Sequence, residues 1–364
     1  MVKAIKLSAL SGGRKNAIRT SGHENSDMDV RYTVPEIRTL SCLATTFSFI
    51  ETVTMTTPFV PLLKLNTGAS IPAIGLGCFT GHDDEKRRKV KDWALTALKA
   101  GYRHLDTAWM YGTEKAVGDA IREFDIPRDE VFVTTKLPWH HPGYVHESID
   151  ESLNSAGFDY YDLYLVHFPQ ACEYPEGRGR PLDPDDPYAI KALDSPTFND
   201  TWADMEKVLA SGKARAIGVS NFSIKTLEQL LKTANVVPAV NQIELHPYLA
   251  QNDLLEYCKE KDILVTAYTP TGYEIVRNDP IVNQLASKYN VTATQIILAW
   301  HVGRGCAVVP KSENEGRQKE NINLPTLSAE DMVIISSLDR NQRVCNFPNE
   351  LGKIYGWTPE QFGW

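Results

Sequence analysis

From Leu62 onward the chain alternates short apolar runs, rich in β-branched residues, with longer segments whose apolar positions recur at helical spacing. This is the pattern of βα units around a parallel sheet. LLKLNTGASIPAIGLG reads as two short strands joined at Asn66 to Gly68, then a first core strand at Ile74–Gly77. Further runs stand at Arg103–Asp106, Val131–Thr135, Tyr161–Val166, Ala214–Gly218, Ala239–Gln242, Ile263–Ala267 and Cys306–Val309, which with the first make eight. Between them, YVHESIDESLNSAG carries Ile149, Leu153 and Ala156 on one helical face, with Gly157 where a helix end is expected. DPIVNQLASKY repeats the spacing with Ile281, Leu285 and Tyr289, and VTATQIILAW opens on a Thr292 to Gln295 capping-box pattern. Eight strand–helix pairs predict an α/β fold of the (β/α)8 TIM-barrel type, with a short N-terminal β-hairpin and C-terminal loops over the mouth. A doubly wound sheet is the runner-up, but GLGCFTG after the first core strand lacks the G-x-G-x-x-G spacing of its phosphate turn.

At 364 residues and 42% hydrophobic content, the chain has ample material for one large core. Residues 55–364 are expected to form a single barrel domain and 1–54 an extension without structure. Met1 to His23 carries Lys3, Lys6, Arg14, Lys15 and Arg19 and no acid, the composition of a mitochondrial presequence, whereas Met55 stands just before the first structural signal. The expected location is cytoplasmic, with mitochondrial as the alternative if that segment is a presequence. A formal net charge of -8 argues against a nucleic-acid partner. The most apolar N-terminal stretch, LSCLATTFSFI, is too short to span a bilayer, and no other segment approaches about 20 apolar residues. The six cysteines are scattered without a C-x-x-C pair or a zinc-spaced histidine, so they read as reduced thiols rather than disulfide or metal ligands.

In such a barrel the chemistry gathers at the carboxyl ends of the strands. Asp106 ends the second run with Tyr111 just beyond it; Lys136 follows the third, His167 the fourth, Ser220 and Asn221 the fifth. Gln242 ends the sixth, Tyr268 follows the seventh, and Lys311 with Ser312 the eighth. Acid, phenol, ammonium and imidazole at one mouth have a shared use. Asp106 pairs with Lys136 and holds it charged, the ammonium is expected to lower the Tyr111 phenol from its ordinary pKa of about 10, and His167 offers a second hydrogen bond to a substrate oxygen. That set suits carbonyl–alcohol interconversion.

GYRHLDTAWMYG, TTKLP, DLYLVHFP, ARAIGVSNFS, VNQIELHPYL, ILVTAYTP and VVPKS resemble, in order, the motifs of the aldo-keto reductase family. The resemblance implies that Asp106, Tyr111, Lys136 and His167 are the catalytic tetrad. It also implies that Ser220, Asn221 and Gln242 hydrogen-bond the nicotinamide carboxamide and that Tyr268 stacks on the nicotinamide ring. Lys311, Ser312 and Arg317 match the site for the adenosine-ribose phosphate, and Glu320 and Asn321 the positions that contact adenine. Two cations there favour NADPH, or NADP+ in the reverse reaction. Glu313 and Glu315 flank that site and leave NADH use open. TPTGYEIVRNDP after Tyr268 is shorter than the corresponding loop of several relatives, so fast cofactor release is expected.

Phe79 stands where many relatives carry tryptophan and, with His167, Trp139 and Phe168, is a substrate-binding candidate; Trp357 and Trp364 in the aromatic tail are further pocket candidates. No ligand cluster accompanies His140 and His141, so no metal is expected. The implied activity is NADP-dependent reduction of aldehydes or ketones, including small sugars and hydroxy-aldehydes, to alcohols by a monomer or dimer acting on a small-molecule carbonyl substrate. Two other readings are a non-catalytic redox sensor that keeps the cofactor and binds a partner, and an aldolase using Lys136 as a Schiff-base amine.

Overall fold

Strand alternation sends every second side chain to the same face, and here that rule builds two cores. The computed structural model describes residues 60–173 and 190–364. The expected extension 1–54 and residues 174–189 of the loop after His167 lie outside them. A hairpin comes first, β1 (Leu62–Lys64) antiparallel to β2 (Ser70–Pro72), with Leu63 opposite Ile71. The barrel strands are β3 (Leu76–Gly77), β4 (His104–Asp106), β5 (Phe132–Leu137) and β6 (Leu163–Val166). After a small antiparallel pair, β7 (Ala171–Cys172) and β8 (Ala192–Leu193), come β9 (Ile217–Ser220), β10 (Val240–Glu244), β11 (Leu264–Tyr268) and β12 (Ala307–Val308). The eight barrel strands run parallel, in the order β12-β11-β10-β9-β6-β5-β4-β3. The sheet closes on itself where Gly75 N donates to Val308 O at 2.8 Å and Val308 N to Ala73 O at 2.8 Å.

Inward positions low in the barrel are apolar: Phe132, Leu163, Leu165, Ala216 and Val240 pack with Leu65 and Ile71, so the hairpin plugs the N-terminal end. Asn66 Nδ2, donating to Pro238 O at 3.1 Å, ties the hairpin turn to the segment entering β10. Outward positions, among them Leu105, Val133, Tyr164, Val166, Ile217, Val219 and Val265, join the core between sheet and helices. Continuing the inward series upward gives Asp106 after His104, Lys136 after Thr134, His167 after Leu165, Ser220 after Gly218, Gln242 after Val240 and Tyr268 after Thr266. The polar mouth is therefore the top layer of a column whose bottom is apolar.

Helices cover the sheet: α1 (Asp84–Ala100), α2 (Glu114–Phe124), α3 (Val145–Ala156), α4 (Phe198–Ala210), α5 (Ile224–Leu230), α6 (Asn252–Glu260), α7 (Tyr273–Arg277), α8 (Pro280–Tyr289), α9 (Ala293–Gly303), α10 (Glu315–Ile322), α11 (Ala329–Ser336) and α12 (Pro359–Phe362). The expected α3 is present with Ile149, Leu153 and Ala156 buried and Gly157 at φ 69, and the Thr292–Gln295 capping box opens α9. On α8 the fully buried stripe is Val282, Leu285 and Ala286, with Ile281 and Tyr289 only partly buried; the face is rotated by one position from the predicted one. No helix among the described residues is long and apolar enough to cross a membrane. The five described cysteines are all free thiols.

Close packing of α2 on α3 rests on Gly118, where an added Cβ would stand 1.9 Å from Ala156 O. The clash is with backbone, which no rotamer change relieves. Gly118→Ala is expected to lower unfolding stability by about 3 kcal/mol, the upper end of ordinary overpacking, read as a fall in the urea midpoint at unchanged m. An unchanged midpoint would mean that the two helices separate at negligible cost.

Candidate active site

The GYRHLDTAWMYG stretch crosses from β4 into a single 3-10 turn, Trp109–Tyr111, closed by Gly112 at φ 65. That turn folds the phenol back over the strand ends. Lys136 Nζ, fully buried, donates to Asp106 Oδ1 at 2.7 Å and to Thr107 O at 2.8 Å. It lies 4.8 Å from the centre of the Tyr111 ring. The Tyr111 and His167 rings are 5.7 Å apart. All four residues singled out from strand ends thus share one mouth.

The electrostatics differ from the sequence expectation at one point. Burial, and after it the Asp106 charge, push the Tyr111 phenol well above its ordinary value of 10.0. The net shift is upward although Lys136 lies 4.8 Å from the ring, and the lysine directs its hydrogen bonds to Asp106 and the Thr107 carbonyl rather than to the phenol. Burial also draws the Lys136 ammonium below its usual value, with Asp106 opposing. His167 is held well below 6.5 by burial and by the positive charge of Lys136, so its imidazole is neutral near pH 7. Its Nδ1 is enclosed without a partner, which leaves Nε2 as the nitrogen available to a ligand.

A second polar group adjoins the first. Ser220 Oγ donates to Gln242 O at 2.8 Å, and Asn221, at φ 66, directs Nδ2 to His167 O at 2.9 Å and Ser220 Oγ at 3.1 Å. Gln242 Nε2 donates to Asp106 Oδ2 at 2.7 Å, so one oxygen of Asp106 is engaged from the neighbouring β5 and the other from β10 across the barrel. Tyr268 Oη donates to Asn221 Oδ1 at 2.6 Å. Beyond β12, Lys311 Nζ meets Glu313 Oε1 at 2.5 Å, and Glu315 is taken by Lys319 at 2.7 Å. Ser312 is buried, and its carbonyl accepts from Gln318 Nε2 at 2.9 Å. Arg317 lies in the first turn of α10, its backbone N–H capped by Asn314 Oδ1 at 3.0 Å, and its guanidinium forms no ion pair among the described residues. Glu320 is exposed and Asn321 buried on the same helix. A lysine, an arginine and a helix N-terminus make a donor set that fits a phosphate. The hydroxyl, amides and phenol beside the barrel mouth fit a planar carboxamide-bearing ring.

Around the mouth, Phe79 is 47% exposed and lies 5.0 Å from the Tyr111 ring. Trp139 packs 5.8 Å from His167 and 5.6 Å from Phe168, and stacks on Tyr355 of the tail at 4.6 Å. Trp364 and Trp357 both pack on Phe362, at 4.4 and 5.4 Å, in the apolar cluster that also holds Trp139 and Phe168. His140 and His141 pack against Trp109, and His141 Nδ1 meets Ser148 Oγ at 2.9 Å. Among the described residues no group of three His, Cys, Asp or Glu side chains is placed to hold a metal ion.

The tail is fastened by a residue the sequence reading passed over. Glu244, fully buried at the end of β10, accepts from Val344 N at 2.6 Å, Cys345 N at 3.3 Å and Arg343 Nη1 at 3.1 Å, and meets His246 Nε2 at 3.2 Å. Its signal was parity, because Glu244 continues the inward series of Val240 and Gln242. Further on, Ser223 Oγ donates to Phe362 O at 2.7 Å and Lys225 Nζ to Glu360 O at 2.8 Å.

Fold and site together define a (β/α)8 barrel with an acid–base mouth, in which a buried ion pair underlies a phenol. The chain belongs to the aldo-keto reductase family: the profile described as Aldo/keto reductase family matches residues 73–340. It is 41% identical over 292 residues to glycerol 2-dehydrogenase (NADP(+)) of Saccharomyces cerevisiae, covering 77% of this chain and 91% of that protein. It is also 41% identical over 281 residues to D-galacturonate reductase of Hypocrea jecorina, covering 75% and 88%. A crystal structure of an aldo-keto reductase complexed with NADPH superimposes with a TM-score of 0.70 at 31% identity, covering 79% of this chain and 90% of that one.

Proposed function

We propose that this protein is an NADPH-dependent reductase that converts aldehydes, hydroxy-aldehydes and small sugars among them, to alcohols, with Asp106, Tyr111, Lys136 and His167 as its catalytic group. The observation that carries the reading is the 2.7 Å Lys136–Asp106 pair beneath the Tyr111 ring, with His167 facing the same ring. Relatives named for glycerol and for D-galacturonate support hydroxylated substrates, and the similar structure complexed with NADPH supports the cofactor. Ser220, Asn221, Gln242 and Tyr268 would hold the nicotinamide end, Lys311, Ser312 and Arg317 the 2′-phosphate, and Glu320 and Asn321 the adenine. When bound, NADPH supplies the hydride, which no side chain can.

The chain's own residues handle the oxygen. Tyr111, whose phenol stays protonated well past neutrality, delivers its proton to the carbonyl oxygen as that oxygen gains negative charge. Lys136 is close enough to the ring to stabilise the phenolate left behind, while Asp106 and Thr107 O hold the ammonium in place. His167, neutral, donates a hydrogen bond from Nε2 to the same oxygen and so orients the carbonyl. The connection from β11 to α7 spans only residues 269–272, which supports ready exchange of the cofactor.

Loss of NADPH absorbance with a panel of aldehydes, hydroxy-aldehydes and aldoses tests the reading; absence of turnover on every one would sink it. Lys311→Ala is expected to raise the Kd for NADPH about tenfold, the size of one lost charge-assisted hydrogen bond, and to leave that for NADH nearly unchanged. Equal weakening of both cofactors would remove Lys311 from the phosphate site.

A further inference from the structure

Three polar side chains from three parts of the chain form one line at the mouth. Asn346 Nδ2, in the tail, donates to Tyr268 Oη at 2.8 Å; Tyr268 Oη donates to Asn221 Oδ1 at 2.6 Å; Asn221 Nδ2 donates to His167 O at 2.9 Å. Asn221 is 3% exposed, and its amide is saturated, with its second N–H on Ser220 Oγ at 3.1 Å. The tail is pinned just before Asn346 by Glu244, which takes Val344 N and Cys345 N, so the carboxamide is delivered to the tyrosine from a fixed base. Asn346 itself sits at φ 53, in the left-handed region.

We propose that Asn346 is a positioning residue of the cofactor site: it keeps the Tyr268 hydroxyl partnered when Asn221 turns to a nicotinamide carboxamide. This rests on the reading of Ser220, Asn221, Gln242 and Tyr268 as the nicotinamide end. A carboxamide N–H that binds Asn221 Oδ1 competes with Tyr268 Oη for that oxygen and draws the amide away from the hydroxyl. A half-buried phenol hydroxyl left without an acceptor weakens whatever displaced it. Asn346 resolves the conflict because a primary amide offers both roles: its N–H donates to Tyr268 in the free protein, and after a flip its Oδ1 accepts the released hydroxyl proton. The tyrosine ring then keeps its place, and the tail is coupled to occupancy of the nicotinamide site.

The test uses the full-length protein and quenching of its intrinsic fluorescence by NADPH. Asn346→Gly deletes the amide while suiting the left-handed backbone, and is expected to raise the Kd about tenfold through faster release, seen by stopped flow. Asn346→Asp, which keeps an acceptor, is expected to recover most of that affinity. The adenosine-end probe 2′,5′-ADP should bind both variants as it binds the parent. Tyr268→Phe keeps the stacking ring and needs no acceptor, so it should bind NADPH about as the parent does, and adding Asn346→Gly to it should cost nothing more, because the hydroxyl that Asn346 serves is gone.

An Asn346→Gly variant with parental NADPH affinity, or with additive loss in the double variant, or with equal loss of 2′,5′-ADP affinity, would overturn the proposal while leaving the nicotinamide reading intact. If Tyr268→Ala, which removes the stacking ring, also leaves NADPH binding unchanged, the reading of that site is what has failed.

Discussion

Tyr111→Phe is expected to lower kcat/KM for aldehyde reduction by about 10³-fold and to leave the affinity for NADPH within about twofold. The substitution removes one oxygen and keeps the ring, which holds its place through Phe79 at 5.0 Å and His167 at 5.7 Å. What is lost is the hydroxyl that stays protonated through neutrality and can give its proton to the carbonyl oxygen. The neighbouring histidine is already neutral because burial and Lys136 hold it well below 6.5. The pH profile of the parent follows from the same sign. The donor must be protonated, and burial raises the Tyr111 phenol well above 10.0, so the rate of reduction should be flat through neutrality and fall only on the far alkaline side. Steady-state kinetics with a fluorescence titration of cofactor check both halves. A Phe variant that still turns over at a parental rate would transfer the proton to another group.

Lys136→Met has the larger structural consequence. Asp106 is 2% exposed, and without the ammonium it keeps, among the described residues, only the Gln242 amide as a side-chain partner. Stranding a buried carboxylate in this way costs about 3–5 kcal/mol, so the variant should unfold at markedly lower denaturant and should not reduce aldehydes. Asp106→Asn together with Lys136→Met removes both charges and is expected to restore most of the stability without restoring turnover. That combination separates two roles. If Lys136 served only to neutralise Asp106, the double variant would recover activity along with stability.

The polar mouth was legible in the sequence because of strand parity. Asp106, Lys136, Ser220, Gln242 and Tyr268 all sit on inward positions at or near the carboxyl end of a run, and a parallel barrel brings those ends together whatever lies between them. The balance of charge within the mouth was not legible. Reading strand ends paired Lys136 with both Asp106 and Tyr111, but here its hydrogen bonds go to Asp106 and the Thr107 carbonyl, and burial with the Asp106 charge raises the phenol. Gln242, which the resemblance marks for the nicotinamide carboxamide, gives one of its two amide hydrogens to Asp106, a partner 136 residues away. That choice depends on how side chains meet across the barrel axis, which no local pattern encodes.

The tail shows the same limit. Its aromatic residues could be marked as candidates for closing the pocket, yet only the folded chain places Tyr355 flat on Trp139 and turns Trp357 and Trp364 to Phe362. Glu244 and Asn346 became visible as its anchors only once the segment was seen to return across β10 and β11.

What the amino-acid order determined by itself is the class of fold, the eight strands and the identity of the four residues at the mouth, because hydrophobic periodicity and strand alternation act over a few neighbouring positions. What the tertiary structure alone decided is which of those groups share protons and which hold one another still. Hydrogen bonds and burial set acidities over distances of about 3 Å, and contacts of that length between residues 30 to 136 positions apart exist only after the barrel has closed and the tail has docked.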